Sequence, residues 1–416
     1  MHGQIELPKR DQVIVRDLAK PATIALGVGV VGLLATAGLG VAAGDEMLRF
    51  GHAMLIGILF FLSITLGALF FTLLQHVTSA GWSVVVRRIA EAMTAAFPVM
   101  GLLVLAFLVL PVLMGKPWTY DWADSAFVDG HELVKHKAGY LNAGFLLVRV
   151  LLYFAIWIGI SRFFAGQSLA QDDDQDPNRT LKMQRRSGIC LILFGVSLTF
   201  CCFDLMMSLN AEWFSTMYGV YFFAGCFWSF LATLALSSMW LEKRGQLKNV
   251  VTVEHYHDIG KLLFAFTFFW SYVAFSQFML YWYADIPEET HWFHYRIWGS
   301  WTGASMLLLV GHFLIPFLGL LSRHVKRRRN VLAAWCVYCL VFHYVDLYWN
   351  VMPEMVNGQP GGNPAEVGPA FGLIEVTAMI GVGGLFAFAF LKRLDGKPAL
   401  AIGDPRLSES LAFQNI

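Results

Sequence analysis

Five polar residues recur at spacings of three and four in the last third of the chain: Cys336, Cys339, His343, Asp346 and Asn350. On a helix that spacing puts them all on one face, while the remaining faces carry Leu, Val, Trp and Tyr. A second carboxylate, Asp204, sits within the apolar stretch FDLMMSLNAEWFSTMYG at 203–219, one face of which continues through Ser197, Cys201 and Ser208. Ionisable groups in such surroundings are costly unless they face protein or water, and the chemistry they suit is proton uptake and release. Arg149 and Glu375 fall in similarly apolar segments. Asp204, His343, Asp346 and Glu375 are therefore candidates for a proton relay. Arg149 fits either of two roles: holding or orienting a relay carboxylate, or pinning Asp204 or a nearby carbonyl in a structural pair. The sequence reading places Asp204 and Asp346 in one polar interior, so that their substitutions would not add.

A second polar layer comprises His76, Glu91, His257, Asp258 and Lys261, close to segment ends where long side chains reach the interface cheaply. Most read as boundary residues. Glu91 is followed by small residues and Thr94, and with His76 it would form the entrance of a proton path. His312 and His343 fall near mid-segment on neighbouring helices, a geometry that b-type haem uses. Bulky Leu, Phe and Tyr flank both, so neither is expected to ligate haem. The six cysteines lie inside apolar segments. Cys336 and Cys339 have no second pair and read as packing residues, with no metal site expected. Absence of a C-x-x-C-H motif excludes a covalently attached c-type haem.

The elements that position these residues follow from hydropathy. Of 416 residues, 57% are hydrophobic and 14% charged, with mean hydropathy +0.58; a soluble domain carries about 25% charge. A spanning helix needs about 20 apolar residues. Ten segments qualify: α1 (21–43), α2 (51–74), α3 (89–113), α4 (140–164), α5 (187–209), α6 (218–241), α7 (259–283), α8 (298–321), α9 (329–351) and α10 (368–391). The expected fold is an all-α membrane protein of two four-helix bundles, α2–α5 and α6–α9, flanked by α1 and α10. Residues 1–20 and 392–416 would be cytoplasmic ends around transmembrane portions 21–209 and 210–391. Lys and Arg crowd alternate loops, in particular residues 9–20, 87–88, 179–186, 243–248 and 323–329, whereas the other loops hold only Arg49, Lys116, Lys135, Lys137 and Arg296. By the positive-inside rule both termini are cytoplasmic. The polar start does not resemble a cleaved leader. The net charge of +1 says nothing about nucleic acid, but there is no basic tail of the kind that binds it, so no nucleic-acid partner is expected. Trp118, Tyr120 and Trp122 in the longest outer loop suit an interfacial belt or a docking surface, and the acidic run at 172–176 reads as a solvated linker.

A weak repeat relates α2–α5 to α6–α9. Gly57-Ile-Leu-Phe60-Phe61 matches Gly219-Val-Tyr-Phe222-Phe223, Asp204-Leu205 matches Asp346-Leu347, and Ser161-Arg162 matches Ser322-Arg323. An offset of four crossings preserves orientation, so the repeat is parallel.

Three stretches carry a resemblance: Phe203-Asp204-Leu205-Met206-Met207-Ser208-Leu209; Trp213-Phe214-Ser215-Thr216-Met217-Tyr218-Gly219; and Val345-Asp346-Leu347-Tyr348-Trp349, ending near Pro353. With the ten-helix plan, they resemble the NrfD-like membrane subunits of bacterial respiratory complexes, most closely the ActF-type subunits of alternative complex III, a quinol:cytochrome c oxidoreductase. The resemblance implies a multi-pass subunit of the bacterial inner membrane. Its partners would be membrane lipids, a multihaem cytochrome, an iron–sulfur protein and a homologous NrfD-like subunit, with a terminal oxidase as a further candidate. Haem and iron–sulfur clusters would belong to those partners, with no redox centre here, and quinone is a candidate ligand. This subunit would supply a proton path or a supporting role. Two other classes fit the sequence: a secondary transporter working alone, although only Pro98 and Pro316 interrupt mid-segment, and a purely structural scaffold.

Overall fold

The computed structural model describes residues 9–45, 47–357 and 362–415, leaving residues 1–8 of the N-terminal segment outside. Ten helices are long and apolar enough to cross a membrane, and among the described residues there is no strand beyond one isolated bridge, Ile14 to Pro398. They are α1 (Ala19–Ala43), α2 (Leu48–Val77), α3 (Val84–Leu113), α4 (Ala143–Asp174), α5 (Pro177–Leu209), α6 (Tyr218–Lys243), α7 (Val253–Ala284), α8 (Thr302–Leu321), α9 (Arg329–Asn357) and α10 (Leu373–Leu394).

α2 and α6 form the centre. Their apolar windows are 89% and 78% buried, against 28% for each of α7 and α8, which turn toward lipid. α5 packs on α2 and α6, and α9 packs on α6 and α2. α5 and α9 thus take corresponding places against α2 and α6. The two groups share a broad seam along α2 and α6 instead of standing apart.

α1 and α10 cross backbone to backbone. A Cβ on Gly32 would lie 2.6 Å from the Gly381 nitrogen, and one on Gly384 would lie 2.5 Å from the Gly29 nitrogen. Small residues permit such approach where lipid supplies no hydrophobic drive between helices, and Thr36 Oγ1 donates to Thr377 Oγ1 at 3.0 Å. Gly381→Leu is expected to force the pair apart and lower stability by about 1–3 kcal/mol or more. Gly27→Leu, into open space, is expected to have no effect. Thermal unfolding of the two purified variants measures the difference.

Prolines explain the irregular turns. Proline cannot donate to the carbonyl four residues earlier and its ring clashes with it. For Pro316 that carbonyl belongs to His312, and α8 widens to a π-helix over Leu308–Leu314. For Pro111 it belongs to Phe107, and α3 widens over Leu105–Val109. For Pro98 it belongs to Thr94, where α3 tightens to a 3₁₀ turn at Thr94–Ala96. α8 stays close to α7 in its last turns and diverges from it toward the opposite end.

Both described termini lie at one end, called here the terminal face. Val15 N donates to Lys397 O at 3.0 Å and Ala399 N to Val13 O at 2.9 Å. The tail then lies across the bundle: Ser410 Oγ donates to Trp82 O at 2.7 Å, and Gly403 N donates to Asp172 Oδ1 at 3.1 Å. This corrects the linker reading of 172–176. Asp172 is buried, ion-paired to Arg88 at 2.9 Å, and α4 and α5 continue as helices almost to their hairpin.

At the far face the docking reading of the aromatic loop also changes, because Tyr120 and Trp122 are buried and Tyr120 Oη donates to Leu205 O at 3.1 Å. Arg296, counted above as a loop charge, is buried on the helix Pro287–Ile297 and ion-paired to Glu354 at 2.9 Å. Asp121 is raised to about 7, by burial and by Glu354, against the pull of His131. Both folded and unfolded chains are protonated there below about pH 4. The unfolded chain ionises first as pH rises, so stability falls between about pH 4 and 7 and is level above. Backbone hydrogen exchange of residues 121–137, corrected for intrinsic rate, should accordingly be faster at pH 8 than at pH 5, and Asp121→Asn should flatten that dependence.

Candidate functional site

The Arg149 side chain resolves into a closed ion pair. Asn142 caps α4, accepting from Phe145 N at 2.8 Å, and so sets the register of Arg149 two turns on. Its guanidinium grips Asp204 with two hydrogen bonds of 2.9 Å, and Tyr153 Oη donates to the same carboxylate at 2.8 Å. A further nitrogen donates to Tyr140 O at 2.9 Å, and the Tyr140 and Phe145 rings lie 3.9 and 4.3 Å from the guanidinium carbon. Both predicted structural partners, Asp204 and a carbonyl, are used at once.

Asp346 has different company. Tyr221 Oη donates to it, Trp270 Nε1 lies at 3.3 Å and Asn350 Nδ2 at 3.2 Å, with Tyr218 Oη donating to Asn350 Oδ1 at 2.9 Å. Among the described residues no cation pairs with it. One turn back along α9, His343 Nε2 lies 2.8 Å from Ser63 Oγ of α2, and its Nδ1 is buried without a partner. Gly225 on α6 makes room for both: a Cβ there would lie 2.9 Å from His343 Cε1 and 4.0 Å from Asp346 Oδ2. His312, in the widened turn of α8, is stacked between Trp270 and Trp228, with ring centroids 3.7 and 4.2 Å apart. Neither of its nitrogens has a partner although the residue is fully buried. Buried polar atoms are rarely left so. His312 and a carboxylate without counter-ion thus meet at Trp270, with His343 one turn away on α9. A π-helical turn at such a place is frequent at functional sites.

Where α7 and α8 diverge, a cavity of about 560 Å³ opens toward the lipid, its inner wall made by Tyr218, Tyr221, Trp270 and Asn350 and its sides by Gln277 and Trp292 among others. None of its lining residues is charged. Gln277 is 3% exposed and its Oε1 has no partner. The cavity therefore joins the membrane interior to the residues that hold Asp346.

The other predicted relay members stand elsewhere. Glu375 caps α10, accepting from Gly372 N at 2.7 Å, and pairs with Arg49 at 2.8 Å. Glu91 lies between Arg87 and Arg88, at 3.4 and 3.3 Å, while Arg87 also binds Asp404 at 2.6 Å. His76 is no boundary residue: it is fully buried against Phe164, ring centroids 5.3 Å apart, with both nitrogens unpartnered. The structure thus brings His343 and Asp346 together and leaves Arg149–Asp204, Arg49–Glu375, the Glu91 cluster and His76 in separate places.

Sequence reasoning missed Tyr221, Trp270 and Gln277. Tyr221 had a signal only through the repeat, which puts the aliphatic Leu59 at its counterpart. Gln277, two turns from Trp270 on the same face, was another. Compared with known proteins, the chain matches no protein-family model, and no curated protein is similar to it.

Proposed function

We propose that this chain is a multi-pass subunit of a bacterial inner-membrane quinol:cytochrome c oxidoreductase of the alternative complex III type, carrying no redox centre of its own. Within the complex it provides scaffold and a proton-handling interior. The observation that carries this reading is the uncompensated carboxylate Asp346, held by Tyr221, Trp270 and Asn350 at the back of a cavity open to lipid. Quinol oxidation releases protons as electrons leave, and a carboxylate without a cation can accept and pass on a proton. His343, one turn along α9, and His312, stacked on Trp270, would be further proton carriers. The sequence resemblance supports the same assignment, with electrons passing to iron–sulfur and haem partners. The Arg149–Asp204 and Arg49–Glu375 pairs fit the scaffold role.

The deciding experiment is gentle purification. A multihaem cytochrome and an iron–sulfur protein should co-migrate with this chain and oxidise quinol; a monodisperse single chain able to transport solute would overturn the assignment in favour of a transporter. The loop charges support a cytoplasmic position for both termini. A reporter fused after Ile416 should therefore be active only as a cytoplasmic fusion, and activity confined to the periplasm would refute the orientation.

A further inference from the structure

At the terminal face a second cavity, of about 420 Å³, lies between α3, α4 and α10. Its charged lining residues are Glu91, Arg162 and Arg393. Arg162 is exposed and Arg393 half-buried, and among the described residues neither makes an ion pair or hydrogen bond. Glu91 is offset from behind: Arg87 and Arg88 hold it together with Asp404 and Asp172. Those two cations face three carboxylates, one negative charge in excess (3 − 2 = 1). Adding Arg162 and Arg393 makes the sum positive by one (2 − 1 = 1). Lys397, in the narrower recess alongside, adds a further cation at the rim.

The surroundings are those of a lipid. Pro98 is exposed at the cavity and Leu102, one turn further along α3, is 67% exposed. On α4 the exposed face runs Ala155, Gly159, Arg162, Gly166, and no atom lies within 4 Å of a Cβ built on either glycine. The small residues leave a shallow groove leading from the two arginines into the apolar zone. Basic pockets between transmembrane helices at this depth bind phosphate head groups.

We propose that this cavity binds an anionic phospholipid, its phosphodiester held between Arg162 and Arg393 and an acyl chain laid along the groove of α4 beside Leu102. A phosphodiester carries one negative charge, which suits the small positive surplus. The arginine fork suits phosphate oxygens. This inference requires only that the chain span a membrane, and it stands whether or not the chain belongs to a quinol-oxidising complex.

The test uses the purified protein with the subunits that accompany it, stripped of lipid and titrated with phosphatidylglycerol, with phosphatidylcholine of the same acyl chains, and with inorganic phosphate; bound lipid is counted by native mass spectrometry. Phosphatidylglycerol should bind about 25-fold more tightly than phosphatidylcholine, since each cation near a membrane surface contributes roughly fivefold. Arg162→Gln together with Arg393→Gln should abolish the preference, and Arg323→Gln, an exposed arginine elsewhere, should leave it intact. Gly166→Leu, which fills open space without altering charge, should weaken binding of both lipids. Equal affinity for the two lipids, or a preference that survives the double arginine variant, would overturn the proposal. Displacement of the lipid by millimolar inorganic phosphate, or phosphate binding without lipid preference, would show a site for free anions instead.

Discussion

Arg149→Met should prevent the protein from accumulating in folded form. The substitution leaves Asp204 buried with only the Tyr153 hydroxyl as donor, where it had two further hydrogen bonds of 2.9 Å from the guanidinium. Breaking one side of a buried ion pair costs roughly 3–5 kcal/mol, a large part of the roughly 5–15 kcal/mol that holds a typical fold together. Asp204→Asn has the mirror-image effect, stranding the guanidinium between Tyr140 and Phe145. If the pair is structural, removing both charges at once should be better tolerated than removing either, because apolar replacement of a buried pair is often neutral or stabilising. The double variant Arg149→Met with Asp204→Leu should then regain folded yield and melting temperature, while each single variant stays low. A single Arg149→Met protein as stable as the parent would contradict this account. So would a double variant no better than the worse single one.

What could be seen in the sequence, and what could not, follows from one physical asymmetry. In apolar surroundings a charge is conspicuous, so Asp204, Asp346, Arg149 and Glu375 stood out at once, as did the one-sided stripe on α9. The ten spans emerged for the same reason. Partners did not, because the residues that satisfy these charges come from far along the chain. Arg49 reaches Glu375 across 326 positions and Arg87 reaches Asp404 across 317. Aromatic partners were harder still. With aromatics at 15% of the sequence, Trp270 has no contrast against lipid-facing rings, and Tyr221 has only its place in a weak repeat, until their indole and hydroxyl are seen on Asp346. Helix ends were misjudged where polar residues continue a helix: α4 and α5 extend past the apolar windows because Arg88, Asp172 and Gly403 anchor their hairpin, an arrangement hydropathy does not register. The tail carried no signal either. Its order comes from contacts with Trp82, Arg87 and Asp172 made only when the bundle exists.

If the chain serves quinol oxidation as proposed, Asp346→Asn should give the opposite result from Asp204→Asn: assembly unimpaired and quinol-driven turnover lost. The sequence reading expected the two carboxylates to act as one unit, yet in the structure they share no hydrogen-bond partner among the described residues. An amide at 346 keeps an oxygen to accept from Tyr221 and Asn350, loses the longer 3.3 Å bond from Trp270 and strands no cation, so the local fold is retained. What it cannot do is take up and release a proton. A positioned acid or base contributes about 10²–10⁴-fold to rate, so turnover should fall by about 10²-fold or more. Tyr221→Phe should have a smaller effect, since it removes one donor and leaves the carboxylate. His312→Phe keeps a ring between Trp228 and Trp270 while removing its titratable nitrogens, and should reduce turnover without loss of folded yield if protons leave by that route. Three measurements on each variant separate the possibilities: co-migration of partner subunits, melting temperature, and quinol-driven turnover across pH. On the proposed role, the parental pH profile of turnover should contain an ionisation that Asp346→Asn abolishes and Tyr221→Phe displaces. A purely structural residue would change melting temperature and leave the profile in place. A fully assembled Asp346→Asn complex with parental turnover and profile would remove proton transfer from this centre and leave the scaffold role as the function of the whole subunit.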